Sequence, residues 1–358
     1  MKREWYPLFL HLSRRVVVLL LTVLAGVYLT ILIANMGGRV DDLRLMQIRG
    51  EIAESVREDA AFREMASSER NALIEQRVAL EVERLGLDRP FIVRSFGYLQ
   101  RAMLLDLGRA EQMHSDSGSR SVRAIITERL PATLLLFGTA NLLLFAISVW
   151  LALRLSRRYG SLLDRSVVGL APTSAAPAWF YGMFLILLFA FIAPVLPPGG
   201  MVATPPPEGR LAWLGSLLQH MALPLMAILL SQLFVSIYAW RTYFLIHAGE
   251  DYVEMARAKG LPERLIERRY ILRPALPPIL TSLLLMLISL WSGSIILEQV
   301  FNWPGLGTLL FAAIGMNDTP VVIGSVVIFA YLLAATVLLL DLAYAALDPR
   351  VRIGGAAR

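Results

Sequence analysis

Six apolar stretches dominate this chain, each as long as the roughly 20 residues a helix needs to cross a bilayer core. They run from about Val16 to Met36, Pro131 to Leu153, Val167 to Val195, Met221 to Leu245, Ala275 to Leu297 and Pro320 to Leu347. In lipid, every backbone N–H and C=O must be paired within the protein, so such stretches read as helices. The expected fold class is an all-α membrane protein with six transmembrane helices. Pro172 and Pro177 in the third stretch and Pro224 in the fourth predict kinks. A composition 56% hydrophobic, with mean hydropathy +0.60, is too apolar for a soluble domain of this size.

The arginines orient these spans, because short cytoplasmic loops collect positive charge. With the N-terminus inside, the inner loops hold Arg154, Arg157, Arg158 and Arg165, then Arg241 and the basic residues from Arg257 to Arg273. Among the short outer loops, only the one between spans three and four is basic, at Arg210. Both termini are expected in the cytoplasm. The first span has the basic start of a signal peptide (Lys2, Arg3, Arg14, Arg15), but a long core and no small-x-small site, so it reads as an uncleaved anchor. Residues 37–129 carry 15 arginines and 16 acidic residues, and long segments translocate regardless of charge. They are expected outside as a helical subdomain, with Ser67 or Ser68 capping a helix that ends at Gly86. The expected organisation is 1–36, tail and first span; 37–129, external subdomain; 130–347, transmembrane core with a coupling segment at 251–274; and 348–358, tail.

Several chemistries are excluded. There is no cysteine, and His11, His114, His220 and His247 are scattered, so no metal site is expected. No lysine follows a glycine, so there is no P-loop. HExxH and GxSxG are absent, and the span centres are almost free of charge. That argues against an intramembrane enzyme and an ion-driven secondary transporter. The net charge of +6 follows the membrane topology, so no nucleic-acid partner is implied. No catalytic residue and no bound cofactor is expected in this chain.

Between spans four and five stands a charged cassette, DYVEMARAKGLPERLIERRYILRPALPP, from Asp251 to Pro278. It is too small for a catalytic domain and suited to docking into another subunit. Asp251 is expected to cap a helix beginning at Tyr252. Ala256 and Gly260 are small and permit close approach of another backbone. Gly260 suits the left-handed residue that ends a helix, and Pro262 the first turn of the next. Pro274, Pro277 and Pro278 are expected to break that second helix.

Glu254-x-Ala256-x3-Gly260 resembles the EAA motif of ABC-transporter import permeases, and DYVEMARAKGL is similar to the form found in dipeptide and oligopeptide permeases. Glu298, Val300, Phe301 and Trp303-Pro304-Gly305-Leu306-Gly307 resemble that family's E-x-V-F-x-W-P-G-L-G. Leu85 to Pro90, Asp106-Leu107-Gly108, Arg129-Leu130-Pro131-Ala132-Thr133 and DLAYAALDPRVR (Asp341 to Arg352) also fit. Two departures stand out. Met36-Gly37-Gly38-Arg39 replaces a Pro-Gly-Asp-Pro turn, and Met255 an alanine. The resemblance implies a type I import permease of the kind with a long first external loop, in a bacterial or archaeal plasma membrane. Asp251, Tyr252, Glu254, Ala256, Arg257, Ala258, Lys259, Gly260 and Leu261 would couple it to two ATP-binding cassette subunits, which use ATP and magnesium. A second homologous permease and an extracytoplasmic binding protein complete the implied partners. Peptides are the implied cargo, with nickel complexes, glutathione or sugars as alternatives. Glu298, Phe301, Trp303, Pro304, Gly305 and Gly307 form the external motif, expected to anchor a helix end at the bilayer surface rather than touch substrate. Gln232, Ser236, Ser289, Ser292 and Ser294 are candidates to line a pathway or to bond neighbouring helices.

Overall fold

The structure is a computed structural model that describes residues 5–35, 39–58, 67–289 and 294–347. Among the described residues the regular elements are all helices, with one isolated bridge, Arg109 to Ser121. In order the helices are α1 (Trp5–Asn35), α2 (Arg39–Glu58), α3 (Ser67–Leu85), α4 (Phe91–Met103) and α5 (Val122–Arg157). Next come α6 (Leu162–Leu170), α7 (Ala178–Ile186), α8 (Arg210–Ala248), α9 (Asp251–Ala258) and α10 (Glu263–Ile266). The last are α11 (Arg273–Ser289), α12 (Ile295–Val300), α13 (Leu306–Gly315) and α14 (Thr319–Leu347).

By length and composition, four described segments qualify as spans: Ser13–Ile33, Val122–Arg157, Arg210–Ala248 and Thr319–Leu342. The third expected span is not one straight helix. Leu162–Ala175 and Ala178–Ile192 meet at 97°, and only if this bent pair crosses as one does the count reach five. Its two prolines account for the break. Pro172 opens a 3₁₀ turn, and Pro177 holds Ala176 extended (φ −90°, ψ 134°) before α7 starts. Pro224, by contrast, lies inside a continuous α8. The fifth expected span appears as α11, 17 residues long, followed after residues 290–293, which lie outside the described residues, by the separate α12. Pro274, Pro277 and Pro278 lie inside α11 and do not break the cassette's second helix, because α10 runs through a π turn into α11 without a gap. The backbone before them widens into a π turn, Glu267–Leu272, an adjustment that accommodates the missing donors.

Contacts divide the chain into two compact units. One comprises Leu10–Ile125 and Ala313–Ala334. Its core stacks Val23, Val27 and Ile31 of α1, four apart on one helix face, with Ala102 and Val327. Tyr331 donates to the Met103 carbonyl at 2.8 Å. α2 packs on α3, which ends as expected with Gly86 left-handed at φ 67°.

The other unit, Ile126–Ala312 with the two chain ends, has two apolar cores carried by the same two long helices. One gathers Ala132, Leu136 and Ala140 of α5 with Met221, Leu223 and Ala227 of α8 around Phe301 and Trp303. The second gathers Ala152 and Leu155 of α5 with Ile237 and Phe244 of α8 around Val253, Ala256 and Ile266. Ile228 of the first core and Ile237 of the second are nine residues apart on α8, so at 1.5 Å per residue the cores follow one another along the helix with a gap of about 14 Å.

Candidate functional site: the charged helix and the buried turn

The charged cassette folds as helix, left-handed turn, helix. Glu250, not Asp251, occupies the cap position of α9, because the backbone turns helical one residue earlier than its side chains suggest; Glu250 contributes its carbonyl to Val253 and Glu254. Gly260 ends the helix at φ 73°. Pro262 takes the cap position of α10 rather than its first turn.

Val253 and Ala256, three apart, are buried in a core they share with residues of α5, α8, α10 and the π turn. Ala256 therefore fills this chain's own core instead of a face open to another backbone, a consequence of α9 packing on α10 and the Glu267–Leu272 turn. Asp251, Tyr252, Glu254, Met255, Arg257, Ala258, Lys259 and Gly260 are exposed, and Leu261 is half-buried. A Cβ on Gly260 would meet nothing within 4 Å. Partial burial, with Glu250 close by, holds the Tyr252 phenol above its usual range.

Ion pairs brace the cassette and the helices beneath it. Arg257 faces Glu263 at 3.5 Å, and Arg157 of α5 pairs with Glu267. Under the cassette, buried Arg241 grips the Asp164 carboxylate with two nitrogens, one at 2.7 Å, and lies over the Tyr159 ring. Asp164 also accepts from Gly160 N–H at 2.9 Å. Sequence reading missed this pair. Its members lie 77 residues apart, and Arg241 registered there only as one of the inside charges.

The second motif is a buried turn. Glu298 is fully buried outside the spans identified above, and its carboxylate accepts from Thr133 Oγ1 at 2.8 Å and Thr308 N–H at 3.0 Å. Burial pushes this carboxyl up, against the bonds from Thr308, Thr133 and Gly307. Thr133 Oγ1 accepts from Leu306 N–H at 2.7 Å. Trp303, fully buried, donates Nε1–H to the Ala132 carbonyl at 2.9 Å. That corrects the expectation of an anchor at the bilayer surface: the indole finds its partner inside the protein and has no need of the headgroup region. Within the motif, two glycines have no room for a side chain. A Cβ on Gly305 would stand 2.5 Å from Glu298 Oε2, and one on Gly307 2.8 Å from Ile295 Cα. Phe301 is buried, its carbonyl accepting from Gly200 N–H at 2.8 Å, and Pro304 completes the turn. Two motifs separate in sequence, Arg129–Thr133 and Glu298–Gly307, are thus one structure.

Of the pathway candidates, Gln232 is exposed and Ser236 half-buried on α8, four residues apart. Ser294 caps α12 by accepting from Leu297 N–H at 3.3 Å, a local bond that explains its presence. Ser289 ends α11, and Ser292 lies outside the described residues. Among the described residues no cluster of His, Asp or Glu is arranged to hold a metal.

Residues 144–353 match the family described as binding-protein-dependent transport system inner membrane component, a stretch that includes both the cassette and the buried turn. The chain belongs to that family. It is a multi-pass membrane permease subunit of the type I ABC importer kind, not an enzyme. Similar proteins include a putative peptide permease protein of Brucella suis biovar 1, 31% identical over 75% of this chain and 82% of the relative. The glutathione transport system permease protein GsiC of Salmonella choleraesuis is 32% identical over 77% and 85%. The dipeptide transport system permease protein DppB of Escherichia coli K12 is 31% identical over 77% and 86%.

Proposed function

We propose that this permease moves peptides inward by alternating access, driven by two ATPase subunits that dock on α9 and use ATP and magnesium. The observation that carries the coupling role is the division of α9 between a buried pair, Val253 and Ala256, and an exposed charged face. A short helix so seated on α10 and the π turn, which packs on α8 and pairs with Arg157 of α5, passes a push to both long helices instead of yielding like a loose loop. The peptide cargo rests on the relatives, two named for peptides and a third for glutathione, itself a tripeptide. In this reading both termini and the cassette face the cytoplasm, residues 37–129 face outward, and a second, non-identical permease and an external binding protein complete the transporter.

Gly260→Leu tests the coupling. Its Cβ would meet nothing within 4 Å, and the left-handed backbone costs a non-glycine residue about 1–2 kcal/mol. The variant should insert and fold, yet lose transport and the ATP hydrolysis that loaded binding protein stimulates. Gly260→Asn, which tolerates that backbone and is smaller, should retain more of both. Peptide uptake by Gly260→Leu at the normal rate refutes the role of α9, and uptake by the isolated chain on an ion gradient alone refutes the ATPase partnership.

A further inference from the structure

In the unit formed by Leu10–Ile125 and Ala313–Ala334, a cavity of about 180 Å³ lies among α1, α4, the Asp106-Leu107-Gly108 turn and the first turns of α14. That is somewhat more than the roughly 150 Å³ that admits a benzene-sized molecule. Ile31, Ala102 and Ile323 give it an apolar floor, while Arg101, Asp106 and Arg109 bring charges of both signs to one small concavity. None of these three side chains pairs with any described residue. Glu111 also lines the cavity but already has a partner. The turn holds Leu105, a non-glycine residue, left-handed at φ 56°, with Gly108 at φ 72°. A bulky residue in that region is an uncommon conformation that the surroundings must enforce, and such outliers cluster at ligand sites.

We propose that this cavity binds a small zwitterion: an anionic oxygen group facing Arg101 and Arg109, an ammonium facing Asp106, and a short apolar body on the floor. A ligand with only one charge leaves part of this set unmatched. Two sources supply the chemistry, a phosphatidylethanolamine headgroup and a free dipeptide. The lipid fits the position better, because Ile31 and Thr319 lie at the ends of the segments Ser13–Ile33 and Thr319–Leu342, at headgroup depth. The assignment rests on the permease reading only in placing these ends at a bilayer surface.

The full chain, purified in dodecyl maltoside with whatever subunits accompany it, would be titrated calorimetrically with glycerophosphoethanolamine, glycyl-leucine and glycerophosphoglycerol. We expect saturable binding of glycerophosphoethanolamine, weakened at least tenfold by Arg101→Gln and by Asp106→Asn, with thermal stability unchanged. Glycerophosphoglycerol, an anion without an ammonium, should bind at least tenfold more weakly. Binding of glycyl-leucine alone, lost in the same two variants, supports the zwitterion site and assigns it to free peptide. Binding of neither zwitterion, equal binding of glycerophosphoglycerol, or binding that both variants retain overturns the proposal. Because transport is not measured, none of these outcomes bears on the import reading, and a failure of transport leaves the site standing.

Discussion

α9 and the Glu298–Gly307 turn are seated at opposite ends of α5 and α8, and each is a motif readable in the sequence, yet they use their residues in opposite ways. In the turn, Glu298, Phe301 and Trp303 are buried, and glycines stand where a methyl group would collide. In α9 only Val253 and Ala256 are buried, and the charges face outward. A motif of the first kind holds one chain together. A motif of the second kind is left over after the chain is folded, which is what a docking surface requires. The two are distinguishable by burial alone, and so by which property fails when each is damaged.

The sharpest break in the comparison comes from Trp303→Ala. Truncating a fully buried aromatic costs about 3–5 kcal/mol, so the purified variant should show a large fall in thermal midpoint or fail to accumulate. A Trp303→Ala chain that unfolds with the wild type would remove the structural role of the turn. Next in size, Arg241→Ala strands the Asp164 carboxylate beneath the cassette, a loss of about 3–5 kcal/mol for a buried pair and less at its partly open edge. Replacing both, as Asp164→Leu with Arg241→Met, should recover much of that stability; a double variant no better than the single would deny that the cost is an uncompensated charge. Gly305→Ala forces a methyl group against Glu298 Oε2 and Thr133 Oγ1, and overpacking of this kind costs about 1–3 kcal/mol. It should lower the thermal midpoint measurably, and an unchanged midpoint would mean the turn yields. The smallest effect on stability belongs to exposed Met255→Glu in α9, within about 0.5 kcal/mol of wild type. Co-purification with the ATPase subunits should nevertheless drop severalfold. Full co-purification would move the docking face elsewhere on the cassette.

How far each feature could be read in the sequence follows from how local its cause is. The end of α3 at Gly86 and of α9 at Gly260 follow from single residues whose backbone freedom is intrinsic, and both are as expected. The prolines were read less well. Pro177 stops a helix and Pro224, Pro277 and Pro278 do not, because each outcome depends on whether the surrounding backbone re-pairs or relaxes into a π turn. The charged cassette was legible as an interruption between apolar runs, whereas its inner face was not: Ala256 reads as part of an open face, and only the fold buries it in a core shared with α5 and α8.

The sequence by itself determined that this is a helical membrane protein without a P-loop motif, with a charged cassette between two apolar stretches. Apolar length, arginine placement and short motifs act locally and are written in order along the chain. Only the tertiary structure decided that Thr133 and Glu298 share a hydrogen bond across 165 residues, that Trp303 is a core residue, and that Arg241 holds Asp164. A buried polar group must find a partner wherever the fold brings one. That partner is set by how helices pack, which no spacing along the chain records.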